Sequence, residues 1–136
     1  MSSVLVVVHD SLLRFAVVSY LRFQGYSPVE ASDARSALGC AKTHSIEAIL
    51  LDVYPVSERL ALLQEIRLHP SLKHTPVIAL ITSPNRLESL DKLGPVEYLE
   101  LPFEMPMLTW MLENLVSGSR YSQVGLAYAF GVQREY

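Results

Sequence analysis

The chain is expected to fold as an α/β domain, a doubly wound parallel sheet of five strands with helices on both faces. Short apolar segments, too brief for helices, recur along it: Val4 to Val8, Ile46 to Asp52, Pro76 to Ile81 and Val96 to Leu99. They lack the polar alternation of a one-sided sheet, so they read as strands covered on both faces. Between them lie stretches with apolar residues at helical spacing. Parallel neighbours need crossover connections of this kind, and right-handed crossovers fill both sides of the sheet.

In order, Val4 to Val8 is a central strand, and His9, Asp10 and Ser11 supply short polar side chains able to cap a helix. Leu12, Leu13, Ala16, Val17, Tyr20 and Leu21 then recur at helical spacing up to a stop at Gly25. Tyr26 to Ala31 reads as a second strand. Ser32 or Asp33 caps a second helix carrying Ala34, Ala37, Leu38 and Ala41. The strand that ends at Asp52 follows, then a loop with Tyr54, Pro55 and Ser57. The third helix places Leu60, Leu63 and Ile66 on one face, with Leu62 adjoining, and stops at His69 and Pro70. After Pro76 to Ile81, a polar cap at Thr82 to Pro84 opens a short helix over about 85–93, closed by Gly94 and Pro95. Val96 to Leu99 is the fifth strand, and Met105 to Ser117 the fifth helix.

A chain of 136 residues is one ordinary domain. Half the residues are hydrophobic and 18% charged, which is a globular rather than a disordered composition. A net charge of −3 gives no phosphate-seeking surface, so no nucleic acid is expected as a partner. Cys40 is the lone cysteine and supports neither a disulfide scaffold nor a cysteine zinc site. No signal segment and no membrane-length apolar run is apparent, so a cytoplasmic protein without membrane contact is expected.

In open parallel sheets the functional crevice lies at the carboxyl ends of the strands. The residues placed there are Val8, His9 and Asp10, then Asp52, then Ile81 to Ser83, and finally Leu101 and Pro102. No Gly-rich phosphate loop follows the first strand, and no G-x-S-x-G elbow is present. An enzyme is therefore not expected.

The chain resembles a response-regulator receiver domain of two-component signalling over about residues 4 to 117. The resemblance rests on VLVV before a polar turn, SLLR, QGY, AILLDV around Asp52, HTPVIAL and YLELPF. It implies a flavodoxin-like strand order, 2-1-3-4-5. It also implies that Asp52 occupies the phospho-acceptor position. In that family two acidic residues after the first strand hold a divalent cation beside the acceptor. A hydroxyl residue after the fourth strand and a lysine before the fifth-strand proline complete the machinery, because phosphoryl transfer is mostly positioning and charge stabilisation.

Aligned residue by residue, Val8 and His9 stand at the acid-pocket positions, with Asp10 one place later. Ile81 stands at the hydroxyl position beside Thr82, and Leu101 at the lysine position; Tyr98 matches the aromatic switch position. The expected form is a degenerate receiver that binds Mg2+ weakly or not at all, because magnesium is held through carboxylate oxygens. Rescue of the site would require Asp10 and Thr82 to re-aim by one place. His9 is expected to fill the vacated acid pocket or to hydrogen-bond Asp52; a metal cluster of His9, Asp10 and Asp52 is the thinner reading.

Leu93, Val96, Met107 and Trp110 are expected to form an apolar partner face along the fourth helix, fifth strand and fifth helix, with Trp110 equally able to be core. Residues 1–117 are thus a receiver-like domain and 118–136 an aromatic-rich extension, not a second domain. In the extension Val124, Leu126, Tyr128, Phe130 and Val132 alternate with Gly125, Ala127, Ala129 and Gly131, a strand pattern with one apolar face. It is expected to pack on the domain or to self-associate. The expected activity is signalling or adaptor binding to protein partners, independent of aspartyl phosphorylation. A homodimer through the partner face or the extension is one form this could take. One alternative is a regulator phosphorylated at Asp52 with low efficiency; another is a small-ligand or ion sensor using the vacated crevice of Val8, Ile81 and Leu101.

Overall fold

The computed structural model describes residues 2–82 and 88–116. The first residues of the expected fourth helix and the extension 118–136 lie outside the described residues. Five strands form one all-parallel sheet in the order β2-β1-β3-β4-β5. They are β1 (Ser3–Val7), β2 (Ser27–Glu30), β3 (Ile46–Asp52), β4 (Val77–Ile81) and β5 (Val96–Glu100). The helices are α1 (Ser11–Phe23), α2 (Ala34–Thr43), α3 (Val56–Ile66), α4 (Glu88–Asp91) and α5 (Met105–Val116). The doubly wound expectation and its strand order hold.

Each face of the sheet has its own core, because successive strand residues point to opposite sides. Leu5 and Val7 of β1, with Ile49 and Leu51 of β3 and Val77, Ala79 and Ile81 of β4, pack under Ala37 of α2 and Leu62, Leu63 and Ile66 of α3. Val4, Val6 and Val8, with Ala48, Leu50, Ile78 and Leu80, pack on the other face. There they meet Val17, Val18 and Leu21 of α1 and Leu108, Met111 and Leu112 of α5. This two-sided burial is why the strands read as unbroken apolar runs.

The turn after β1 resolves the choice among three capping residues. Asp10 is extended and its Oδ1 accepts the N–H groups of Leu12 and Leu13 at 2.8 and 3.0 Å, two of the otherwise orphaned donors of α1. Asp33, rather than Ser32, caps α2 through a reciprocal box with Ser36. The backbone and hydroxyl donors of Ser36 hold the Asp33 carboxyl below the usual carboxylate range. β2 is shorter than its apolar pattern suggests. The Tyr26 N–H still donates to Leu21 O across the left-handed Gly25, so it belongs to the end of α1.

Arg67, one residue past α3, is a buried cation that no sequence pattern singles out. Its guanidinium donates to Leu93 O at 2.6 Å, Leu72 O at 2.7 Å, Thr75 O at 2.6 Å and Pro95 O at 3.4 Å. Burial pushes its pKa down. The carbonyls come from the 3-10 turn Pro70–Leu72, the approach to β4 and the approach to β5. Gly94 lies over this fork with φ +102°, and a Cβ there would stand 2.9 Å from Arg67 Nε. The fork is pinned by its carbonyls and cannot swing aside. Gly94→Ala is therefore expected to cost about 2–3 kcal/mol, from left-handed strain and the clash together. A urea midpoint lowered at constant slope would register it.

Candidate functional site at the end of the third strand

β3 carries Asp52 to the C-terminal edge of the sheet, opposite Leu80 of β4. Asp52 is engaged on both oxygens. Oδ2 accepts the backbone N–H of His9 at 2.6 Å, and Oδ1 pairs with Nε of Arg59 at 2.5 Å. The side chains of Arg59 and Asp52 are only 8% and 14% exposed, so this pair is screened far less than a surface salt bridge.

Arg59 is the residue that sequence reasoning missed. It lies in the first turn of α3, where the helix dipole disfavours a cation, and an arginine there reads as solvated. A legible signal was its spacing: residues 59, 62, 63 and 66 fall on one helical face, and all four are buried. Leu60, placed on that face from the sequence, is instead only partly buried against it. An arginine on an apolar stripe seven residues after a strand-end aspartate is a candidate ion-pair partner for it.

The remaining expected site residues do not converge on Asp52 as a set. Val8 is buried in the α1–α5 core, and its carbonyl accepts from Arg14 Nη1 at 2.8 Å. His9 meets Asp52 through its main chain, while the residue itself is exposed. Asp10 is occupied as the cap of α1. Ile81 is buried in the opposite core from Val8, and Thr82 is exposed. Leu101 is half-buried against the α5 side of the sheet, and its N–H donates to Ile81 O at 2.7 Å. Tyr98 packs on the α2–α3 side and its hydroxyl donates to Asp91 Oδ1 at 2.9 Å.

Two expectations need correction. Val96 and Met107 are each only 8% exposed and are core residues. Leu93 and Trp110 are only partly buried, one against each core. The reason is geometric: Val96 and Met107 both point inward, one from the edge strand β5 and one from α5, each into a core. The crevice of Val8, Ile81 and Leu101 is likewise not assembled. The cleft beside Asp52 is instead lined by Val8, His9, Arg14, Glu30, Ala31, Ser32, Ser36 and Arg59. Arg14 and Glu30, both on its lining, pair at 3.2 Å.

No group of three or more His, Cys, Asp or Glu side chains able to hold a metal ion occurs among the described residues. Within them no helix is long and apolar enough to cross a membrane.

No family model matches the chain. It is 27% identical over 117 residues to "Probable transcriptional regulator ycf29" of Pyropia yezoensis, covering 83% of this chain and 52% of that one. The chain thus spans about half the length of that curated relative. Among solved structures it is similar to the chemotaxis response regulator CheY4 of Vibrio cholerae, at 29% identity and a TM-score of 0.75, over 85% of this chain and 98% of that one. The receiver domain of sensor histidine kinase PA1611 from Pseudomonas aeruginosa, with a magnesium ion in its active-site cleft, matches at 25% identity and a TM-score of 0.73, over 85% and 98% of the two chains. NtrX of Brucella abortus matches at 25% identity and a TM-score of 0.72, over 87% of this chain and 27% of that one.

Proposed function

We propose that the chain, which shares the fold of response-regulator receiver domains, is a signalling module that works by binding other proteins without phosphorylation of Asp52. The observation that carries this reading is the guanidinium of Arg59 on Asp52. An acceptor carboxylate must present a free oxygen to an incoming phosphoryl group, with cations placed to neutralise the developing charge. Here one oxygen is held by Arg59 and the other by the His9 N–H. The groups expected to assist are a valine, an imidazole, an isoleucine and a leucine at Val8, His9, Ile81 and Leu101.

The residues present also fit magnesium poorly. Magnesium asks for near-octahedral oxygen coordination through carboxylates. The carboxylate of Asp10 caps α1, and that of Asp52 already neutralises Arg59. Weak or absent Mg2+ binding follows. A protein partner replaces the phosphoryl group as the signal-bearing ligand.

A second reading rests on the same guanidinium. A cation beside the acceptor would offset the charge of a phosphoryl group, so Arg59 could sustain slow phosphorylation in place of the missing lysine. Of the crevice expected for an apolar ligand, only Val8 lines the cleft beside Asp52.

Incubation with a small acyl-phosphate donor and Mg2+, followed by intact-mass measurement, separates the first two. We expect no phosphoryl adduct, and partner capture unchanged in Asp52→Asn. An adduct that disappears in Asp52→Asn would overturn the proposal, and its loss in Arg59→Met as well would establish the second reading.

A further inference from the structure

Helix α1 is apolar on two opposite faces. Val17, Val18 and Leu21 are buried against the sheet. On the far side Leu12, Phe15 and Phe23 are 81%, 72% and 84% exposed. With the exposed Ala16 and Ser19 they fall at i, i+3, i+4, i+7 and i+11, a single uncharged stripe running the length of the helix. Scattered exposed leucines need no explanation, but a contiguous stripe with two phenylalanines marks an interaction surface.

We propose that this stripe is a homodimer interface, on which a second copy of the chain lays its own α1 antiparallel to the first. The order of side chains along the stripe favours that occupant. A two-fold interface is one patch meeting itself, so in an antiparallel pair each residue stands level with the one placed symmetrically about the middle of the helix. About a midpoint between Val17 and Val18, Leu12 is symmetric with Phe23, and Ala16 with Ser19. A large residue therefore meets a large one at each end of the seam. The small residues meet at its centre, where they let the two helices approach to the close end of the usual separation of about 8–10 Å.

Charge agrees with this arrangement. The charged side chains of α1 are Arg14 and Arg22, and Arg14 is paired with Glu30. Antiparallel helices hold the two copies of Arg22 about 14 Å apart along the seam, so no like charges are brought together and an uncharged face meets an uncharged face.

The area is sufficient for a reversible dimer. Leu12, Phe15 and Phe23 together expose about 450 Å² per copy. With Ala16 and Ser19, covering the stripe on both copies removes about 1,000 Å² from water, the lower bound of a specific interface and less than the roughly 1,600 Å² of a standard one. Dissociation in the micromolar range is the expected strength. None of the five stripe residues lines the cleft beside Asp52, so the inference stands whether or not Asp52 is ever phosphorylated.

The test is sedimentation equilibrium of the full-length chain from about 5 to about 500 μM. The mean mass is expected to rise from that of one chain toward that of two. Ala16→Arg, which sets a long charged side chain at the centre of the seam, is expected to weaken association at least about tenfold, with the thermal unfolding of the dilute protein unchanged. Leu12→Lys and Phe23→Glu are each expected to weaken it as well. The double variant is expected to associate more tightly than either alone, because the antiparallel register sets the two new opposite charges against each other. A chain that stays monomeric at the highest concentration overturns the proposal and leaves the stripe to another protein or to the chain's own end. A dimer that Ala16→Arg does not weaken overturns it too, by placing the interface elsewhere. A double variant weaker than both single ones overturns the antiparallel pairing.

Discussion

Replacing Arg67 by methionine is expected to cost about 3–5 kcal/mol of stability, the largest effect of any single substitution considered. Methionine keeps the length and apolar stem of the side chain but donates nothing. The carbonyls of Leu72 and Thr75 accept from Nη1, that of Leu93 from Nε and that of Pro95 from Nη2. A buried acceptor left without a donor costs about 1–3 kcal/mol, less where water can enter, and that range for several carbonyls sets the estimate. Lysine should rescue only part of the loss, because one ammonium cannot span acceptors that match a planar fork. The measurement is urea unfolding: the midpoint should fall steeply in Arg67→Met and less in Arg67→Lys, with the slope unchanged. A loss below about 1 kcal/mol in Arg67→Met would show that the carbonyls find other donors.

Breaking the Asp52–Arg59 pair from one side is expected to cost about 2–4 kcal/mol, slightly less than a fully buried pair because Asp52 keeps some contact with water. Arg59→Leu leaves a carboxylate supported only by the His9 N–H, and Asp52→Leu leaves a buried guanidinium without its carboxylate. Removing both charges together should restore stability to within about 1 kcal/mol of the parent, since two leucines bury without a desolvation penalty. A double-mutant cycle with a coupling of about 2 kcal/mol or more is the expected result. Additive losses would mean that the two side chains are stabilised separately, and the proposed substitution of an internal cation for the phosphorylation machinery would lose its energetic basis.

What the sequence disclosed and what it hid follow from the range of the interactions involved. Val4 to Val8 and Ile46 to Asp52 were legible because burial on both faces of a sheet removes polar alternation, a local signal. Strand order came from the family resemblance and was matched in space. Asp52 was legible as the end of its strand. Its partner was not, because an arginine is read by default as a solvated charge. Only the spacing of residues 59, 62, 63 and 66 betrays it. Arg67 was hidden more deeply: its acceptors come from three loops that meet only once the sheet has formed. Two residues of the expected partner face were hidden for a related reason: Val96 and Met107 point inward, and their burial is set by packing that their place in the chain does not reveal.

The ion pairs at the mouth of the sheet carry a kinetic consequence. A receiver with an open acid pocket presents bare negative charge to solution and draws cations from a distance. Here Asp52 is closed by Arg59 and Glu30 by Arg14, and the potential of a closed pair decays much faster than that of a single charge. The crevice therefore steers no small ion toward itself, and association with any charged ligand there should proceed at an unsteered rate that varies little with ionic strength.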